Sequence, residues 1–495
     1  MRHFVYAATL VSGALTLGVA QPCVAQQTAV EQTTLDRTAI PPAGPTPAFH
    51  LPTWTTTTLP NGAKLVVAQR HALPLVSFSI NFIGGADQYE PANETGLASM
   101  VASMLSEGTS TRTGDELSNA LQLLGTDVRT SIGAEQGGIS FLALKENLEP
   151  TLALVQDMML NPSFPDAALE RLRGRLLVSL QQSQDRTSYL AGEVFPKIVY
   201  GEGHPYGRTQ SVASIRAVTR ADLVHFHDTY FTPAHAVITV VGDVTPAQMT
   251  MLVNRVFSAW KPGGSMPSFE YPPVPAARPT TIYVVDKPGA AQSSFAIAEA
   301  GPPRTTPDYA PLSVMNAMFG GLFQSRINMN IREQHGYSYG VNSRFSFGRG
   351  PGAIRIGGDV VTSKTDSSLI QFMKEINDIR GTRPLTPDEL QAAKNALVQS
   401  LPQRFASDQG VNSTIADLYV EGLPANYYDT FARQIDAVTS GDVTRVAQKY
   451  LDPAHMAIVI AGDRKQIEGP LTATGIAPVV VVDIHGNPVS GPPTP

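Results

Sequence analysis

Apolar and polar positions divide the chain into three kinds of stretch. One is a single unbroken apolar run over residues 4–20 (FVYAATLVSGALTLGVA), followed by a polar, Pro-rich stretch over 26–50. The second kind is short and rich in β-branched residues. It comprises KLVVAQ after the turn Leu59-Pro60-Asn61-Gly62, LVSFSINFI over 75–83, and the runs at 237–241 and 457–461, which both end at Gly-Asp. Runs of this length bounded by turn residues predict buried strands. The third kind has helical spacing, over about 95–105, 114–124, 146–160 and 165–190. Two further helices are announced by their caps: Thr219 and Thr439 stand before helical stretches with Asp222 and Asp442 three positions on, a capping-box arrangement. Strands and helices alternate without regular βαβ spacing. The expected class is therefore α+β: a mainly antiparallel sheet covered by helices in each domain.

The pattern occurs twice. Residues 215–243 (IRAVTRADLVHFHDTYFTPAHAVITVVGD) and 435–463 (IDAVTSGDVTRVAQKYLDPAHMAIVIAGD) are identical at 12 of 29 positions, at an offset of 220. The identities include Tyr230/Tyr450, Pro233/Pro453, His235/His455 and Gly242/Gly462. So long a period excludes a solenoid and predicts two homologous domains. The expected organisation is a first domain over 51–262, a Pro/Gly-rich linker over 263–279 with few core contacts, a second domain over 280–470 and a tail over 471–495, in which 479–483 could add an edge strand.

Composition narrows the function classes. Lys and Arg number 36 against 42 Asp and Glu, a net charge of −6, which argues against a nucleic-acid binder. The only cysteine is Cys23, so no internal disulfide framework exists. The apolar run follows Met1-Arg2-His3, and Cys23-Val24-Ala25 places a small residue just before Gln26, the pattern of a secretory signal peptide over about 1–25. The run is short and contains Gly13 and Gly18, and no second span follows, so no membrane span is expected. Residues 26–50 read as a flexible leader, and the expected location is the periplasm.

Taken together and in order, LPNGAKLVV, GGADQYE, ETGLASMVASMLSEGT, GEGHPYG and the P-x-H…G-D strand resemble the pitrilysin/insulinase family of zinc metallopeptidases, in its two-domain, mitochondrial-processing-peptidase-like branch. The likeness spans about residues 52–470 and implies paired metallohydrolase-like α/β-sandwich domains around a substrate chamber. Active members carry H-x-x-E-H on a helix, two zinc-binding imidazoles around a general base. Here that stretch reads Gly96-Leu97-Ala98-Ser99-Met100-Val101-Ala102-Ser103-Met104. The ligand positions are Ser99 and Ser103, and the base position is Ala102. The family's third ligand, a Glu, falls near Ser179. Neutral hydroxyls are poor zinc ligands and a methyl group moves no proton. No metal is expected on this chain.

Other candidates are weaker. His225 and His227 are two apart on a helix and point in different directions; His204, and the repeat-related His235 and His455, read as structural. Glu90, Glu94 and Glu107 lack a His partner and are expected to be solvated.

The second domain differs. Gly320-Gly321-Leu322-Phe323-Gln324-Ser325-Arg326-Ile327-Asn328-Met329-Asn330-Ile331-Arg332-Glu333-Gln334-His335-Gly336-Tyr337-Ser338-Tyr339 is similar to the family's glycine-rich turn, whose Arg and Tyr bind substrate beside the zinc. The resemblance carries those roles to Arg332 and Tyr339, while residues 323–329 are expected to be core and rim. It implies a non-catalytic subunit of a heterodimeric zinc peptidase. The partner would be a homologous subunit carrying H-x-x-E-H and the zinc, acting on peptides or unfolded segments. The alternative is an inert scaffold or peptide-binding protein of the same fold.

Overall fold

The structure, a computed structural model, describes residues 52–263 and 269–489. The expected signal peptide and leader lie outside the described residues.

Among the described residues, twelve strands form two six-stranded sheets. The first contains β1 (Trp54–Thr58), β2 (Lys64–Gln69), β3 (Leu75–Ile83), β4 (Arg129–Ile132), β5 (Gln136–Leu144) and β6 (Ala236–Gly242), in the order β1-β2-β6-β3-β5-β4. The second contains β7 (Thr281–Asp286), β8 (Gln292–Ala300), β9 (Ser338–Ser346), β10 (Ala353–Val361), β11 (Ala457–Gly462) and β12 (Val479–Val482), in the order β12-β7-β11-β8-β10-β9. Five strands correspond one to one. In each set a single parallel pair, β2·β6 and β7·β11, is followed by antiparallel neighbours. The sixth slot is filled differently. β1 enters antiparallel from the N-terminal side, whereas β12 returns from the C-terminal side and runs parallel to β7. The chain is thus an α+β protein of two mixed-sheet, mainly antiparallel domains covered by helices.

Seven helices shape the site and the junction between the domains: α1 (Leu97–Met104), α2 (Asp166–Ser183), α3 (Thr187–Tyr200), α4 (Arg220–Tyr230), α5 (Asp408–Val420), α6 (Ser440–Tyr450) and α7 (Arg464–Ala473). The repeat falls on the same elements in both domains. α4 leads to β6 and α6 to β11, and Thr219 and Thr439 each make a full capping box with Asp222 and Asp442. The boundary at 470 does not hold: α7 runs through it, β12 joins the sheet, and the N–H of Val489 donates to the Val481 carbonyl. The linker is also less detached than its composition suggests. The Tyr271 ring packs on His204 and Tyr206, and its hydroxyl donates to Asp87.

The central strands of each sheet are buried on both faces, which is why β6 is apolar and buried along its whole length. One face is covered by helices of its own domain. The other is covered by one helix from the other domain. On α3, Leu190, Ala191 and Val194 pack against Val285, Ala296, Val459 and Ala461. On α5, Val411 and Ile415, with Phe405 just before it, pack against Val66, Ala68, Val237 and Val241. α3 and α5 stand about 220 residues apart, the offset of the repeat. The exchange is reciprocal, so neither domain completes its core alone. Asn412 of α5 fixes the register: it accepts from the Ser79 hydroxyl at 2.7 Å and donates to the carbonyls of Thr239 (2.8 Å) and Ser77 (3.1 Å). Asn412→Ala is expected to lower the unfolding free energy by about 2–4 kcal/mol in urea titrations, because it strands buried partners and opens a void.

Candidate functional site

The helix at the former metal position, α1, begins after Gly96, whose φ of +108° suits glycine. Its exposed first N–H groups are capped from a distance. The Glu90 carboxylate accepts from the N–H of Ala98 at 2.6 Å and of Gly96 at 3.2 Å. Glu90 is therefore not the solvated residue expected: it is partly buried, and burial raises its pKa against the lowering effect of those amides. The Ser99 hydroxyl donates to the Gly96 carbonyl at 2.8 Å and accepts from Gln210 at 3.4 Å. The Ser103 hydroxyl donates to the Ser99 carbonyl at 2.8 Å. Both serine protons are thus taken up by their own helix backbone. Ala102 is buried, and its carbonyl accepts from the Thr130 hydroxyl. Ser179 is exposed on α2. Glu107 pairs with Arg171 at 2.9 Å instead of standing solvated and alone. A zinc ion does not fit this donor set of two engaged hydroxyls, a methyl group and a third hydroxyl on the helix surface. No group of three or more His, Cys, Asp or Glu among the described residues could hold a metal.

The histidines separate by environment. His225 is exposed, while His227 contacts the Met159 carbonyl at 2.8 Å. His204 stacks on Tyr200 and Tyr271. His235 is buried against Phe82 and Tyr230, but its repeat mate His455 lies at the surface beside Asp452, 2.6 Å away. A shared packing role for this pair is therefore wrong. Aromatic rings surround the histidine in the first domain, whereas the Asp452 carboxylate pairs with it in the second.

The glycine-rich turn is built on close approach. A Cβ on Gly320 would come within 2.4 Å of the Ser343 N–H nitrogen, so only glycine lets the turn lie against β9. Two π-helical turns shape it, Ala317–Gly321, which contains both glycines, and Met329–Gln334, a geometry frequent at functional sites. Beneath it lies a polar frame where the composition suggested core and rim. Arg326 is buried, makes a two-pronged pair with Glu389 at 2.7 and 2.8 Å, and donates to the carbonyls of Arg383 and Pro384. Buried Asn328 donates to the Phe323 carbonyl at 2.7 Å and accepts from the Val341 N–H of β9 at 3.2 Å. It ties the turn to the strand that carries Tyr339.

Arg332 and Tyr339 stand on the two sides of the bend at Gly336, whose φ is +65°. The Arg332 guanidinium lies over the Phe323 ring at 4.5 Å and 3.2 Å from Glu333. Tyr339 is 91% exposed and, among the described residues, has no hydrogen-bond partner. No hydrogen bond or ion pair among the described residues joins Arg332 to Tyr339, or either of them to Ser99, Ala102 or Ser103. The alternating polar residues of S-R-I-N-M-N were the available signal for the buried frame; the long-range cap by Glu90 left none.

Fold and site define a two-domain metallopeptidase scaffold whose metal-binding side chains have been replaced. Residues 68–205 match the family profile described as Insulinase (Peptidase family M16), and residues 217–397 match the one described as Peptidase M16 inactive domain. The chain belongs to the insulinase-type M16 family, as a member without the family's metal-binding set. It is 25% identical over 409 residues to an uncharacterized zinc protease of Mycobacterium leprae, covering 82% of this chain and 91% of that one. It is 23% identical over 418 residues to a protein of Helicobacter pylori named as the non-peptidase homolog YmxG, covering 82% and 94%. A crystal structure described as the peptidase M16 inactive domain from Pseudomonas fluorescens matches with a TM-score of 0.76 and 26% identity, over 83% of this chain and 98% of that one. Among the described residues no helix is long and apolar enough to cross a membrane.

Proposed function

We propose that this non-catalytic M16 homologue is the chamber-closing subunit of a heterodimeric zinc peptidase, exported to the periplasm through residues 1–25. Its partner is a homologous chain carrying H-x-x-E-H. The observation that carries this reading is an asymmetry. All four positions of the metal set (Ser99, Ala102, Ser103 and Ser179) are replaced, while Arg332 and Tyr339 remain, presented at the surface on a buried polar frame. A chain that had lost every role in peptide chemistry would have no need of an unpartnered surface phenol on one side of the Gly336 bend and an Arg on an aromatic support on the other.

The division of labour follows from donor chemistry. The partner's H-x-x-E-H residues would hold a zinc that would activate the attacking water. Arg332 and Tyr339 supply N–H and O–H donors to a peptide carbonyl and to the negative charge that develops on its oxygen. The Phe323 ring keeps the guanidinium extended, and Asn328 holds turn and strand in register.

Affinity purification of the tagged chain from its native host is the test. The expected result is near-stoichiometric recovery of a homologous H-x-x-E-H subunit, with peptide hydrolysis by the pair that the tagged chain alone lacks. Recovery of the chain without such a subunit would favour a scaffold or a peptide clamp.

A further inference from the structure

A second polar centre lies where the two domains meet, next to the Glu90 cap of α1. The tip joining β4 to β5, residues 133–135, is the counterpart of the tip joining β9 to β10, residues 347–352, and the two tips touch. Glu135 of the first accepts from two successive backbone N–H groups of the second, Arg349 at 2.8 Å and Gly350 at 3.2 Å, and from the Tyr206 hydroxyl. Successive N–H groups form a natural cradle for an anion. Closeness here depends on glycine: a Cβ on Gly348 would lie 2.5 Å from the Glu135 carboxylate, and one on Gly350 would lie 2.7 Å from Tyr206 and Tyr271.

Asp87 closes the centre from below. Its N–H donates to the Ala134 carbonyl at 3.0 Å, and its carboxyl accepts from Tyr271 at 3.1 Å. Asp87, Glu135 and Glu421 line one cavity of about 580 Å³ between the domains, with Tyr206, Arg208 and Arg349. The charges do not balance. Glu135 and Glu90 face Asp87 with like charge, and Arg208 opposes them. Arg304 is engaged by Glu421 at 3.1 Å, with Asp417 and Arg404 behind it. Tyr200 completes the wall.

We propose that this junction is a proton-operated latch, in which Asp87 holds a proton while the two hairpin tips are docked and loosens them when it ionises. Burial, then Glu135 and Glu90, push the Asp87 carboxyl up to about 7, against the Tyr271 hydrogen bond and Arg208, which lower it. Because the docked state holds the proton more tightly than the open or unfolded state, docking is favoured in acid. Its contribution is lost as pH rises from about 4 through about 7.

Hydrogen exchange of the full chain reads the latch directly, because the Arg349 and Gly350 amides are its contacts. Rates for a peptide spanning 346–352 are compared at pH 5.5 and 8.5, each corrected for the intrinsic chemical rate. The wild type should lose protection by about tenfold or more at the higher pH. Asp87→Asn keeps an acceptor for Tyr271 and should retain protection at both. Tyr271→Phe removes a lowering contact and should move the transition to higher pH; it decides the matter if Asp87→Asn fails to fold. Glu299, pushed up to about 7 by burial at a different site, gives the control: Glu299→Gln should behave as wild type. Equal protection at both pH values in the wild type, an unchanged loss in Asp87→Asn, or a transition in Tyr271→Phe that fails to rise would each overturn the latch.

Discussion

Arg332→Ala and Tyr339→Phe are each expected to cut peptide turnover by the proposed two-chain enzyme by about 10²–10³, while leaving assembly intact. Both side chains lie at the surface: Tyr339 has no protein partner among the described residues, and Arg332 rests on Phe323 and Glu333. Neither substitution therefore removes a core contact. A donor aimed at the developing oxyanion is worth most in the transition state, so the loss should fall on kcat. A donor that only holds the ground-state peptide would raise KM instead. Turnover within about twofold of wild type in both variants would show that the pair is surface decoration.

A large, pH-dependent effect on stability is expected at Arg326. Its guanidinium is 3% exposed and meets Glu389 in two parallel hydrogen bonds, and the same group satisfies the carbonyls of Arg383 and Pro384. Arg326→Met keeps much of the volume and leaves those acceptors empty. Breaking a buried pair from one side costs about 3–5 kcal/mol, and the lower end applies because Glu389 is 23% exposed and can hydrate. The pH dependence has a definite sign. Arg326 holds the Glu389 carboxyl down at about 2, below its ordinary 4.5. The pair therefore stabilises the fold fully above about 4.5 and loses that contribution as pH falls towards 2. The gap between wild type and Arg326→Met in urea midpoint should be full at pH 7 and should narrow in acid.

Local rules account for what was legible in the sequence. Thr219 with Asp222 and Thr439 with Asp442 cap their helices through contacts three residues long, and the runs ending at Gly242 and Gly462 are strands because their apolar residues leave no polar face. The features that escaped depend on distant parts of the chain. Nothing in TSYLAGEVFPKIVY or DQGVNSTIADLYV says that α3 and α5 each cover the other domain's sheet; that emerges only from the apolar second faces of β6 and β11. The slot filled by β1 in one sheet and β12 in the other is a choice between strands from opposite ends of the chain, and no periodicity distinguishes them. At the candidate site, serine and alanine where the family motif has imidazole and carboxylate could be read position by position, as could the presence of Arg332 and Tyr339. The supports could not. Glu90 reaches across six to eight residues to cap α1, and Arg326 finds Glu389 across 63. His235 and His455 show the converse, since identical residues at equivalent positions met different neighbours.

Metal analysis of the purified protein tests most directly whether the chain itself does any zinc chemistry. After equilibration with zinc and exhaustive dialysis, the chain alone should retain no stoichiometric metal and should cleave no unfolded peptide. One zinc retained per chain, together with peptide cleavage abolished by a chelator and restored by zinc, would contradict its non-catalytic role.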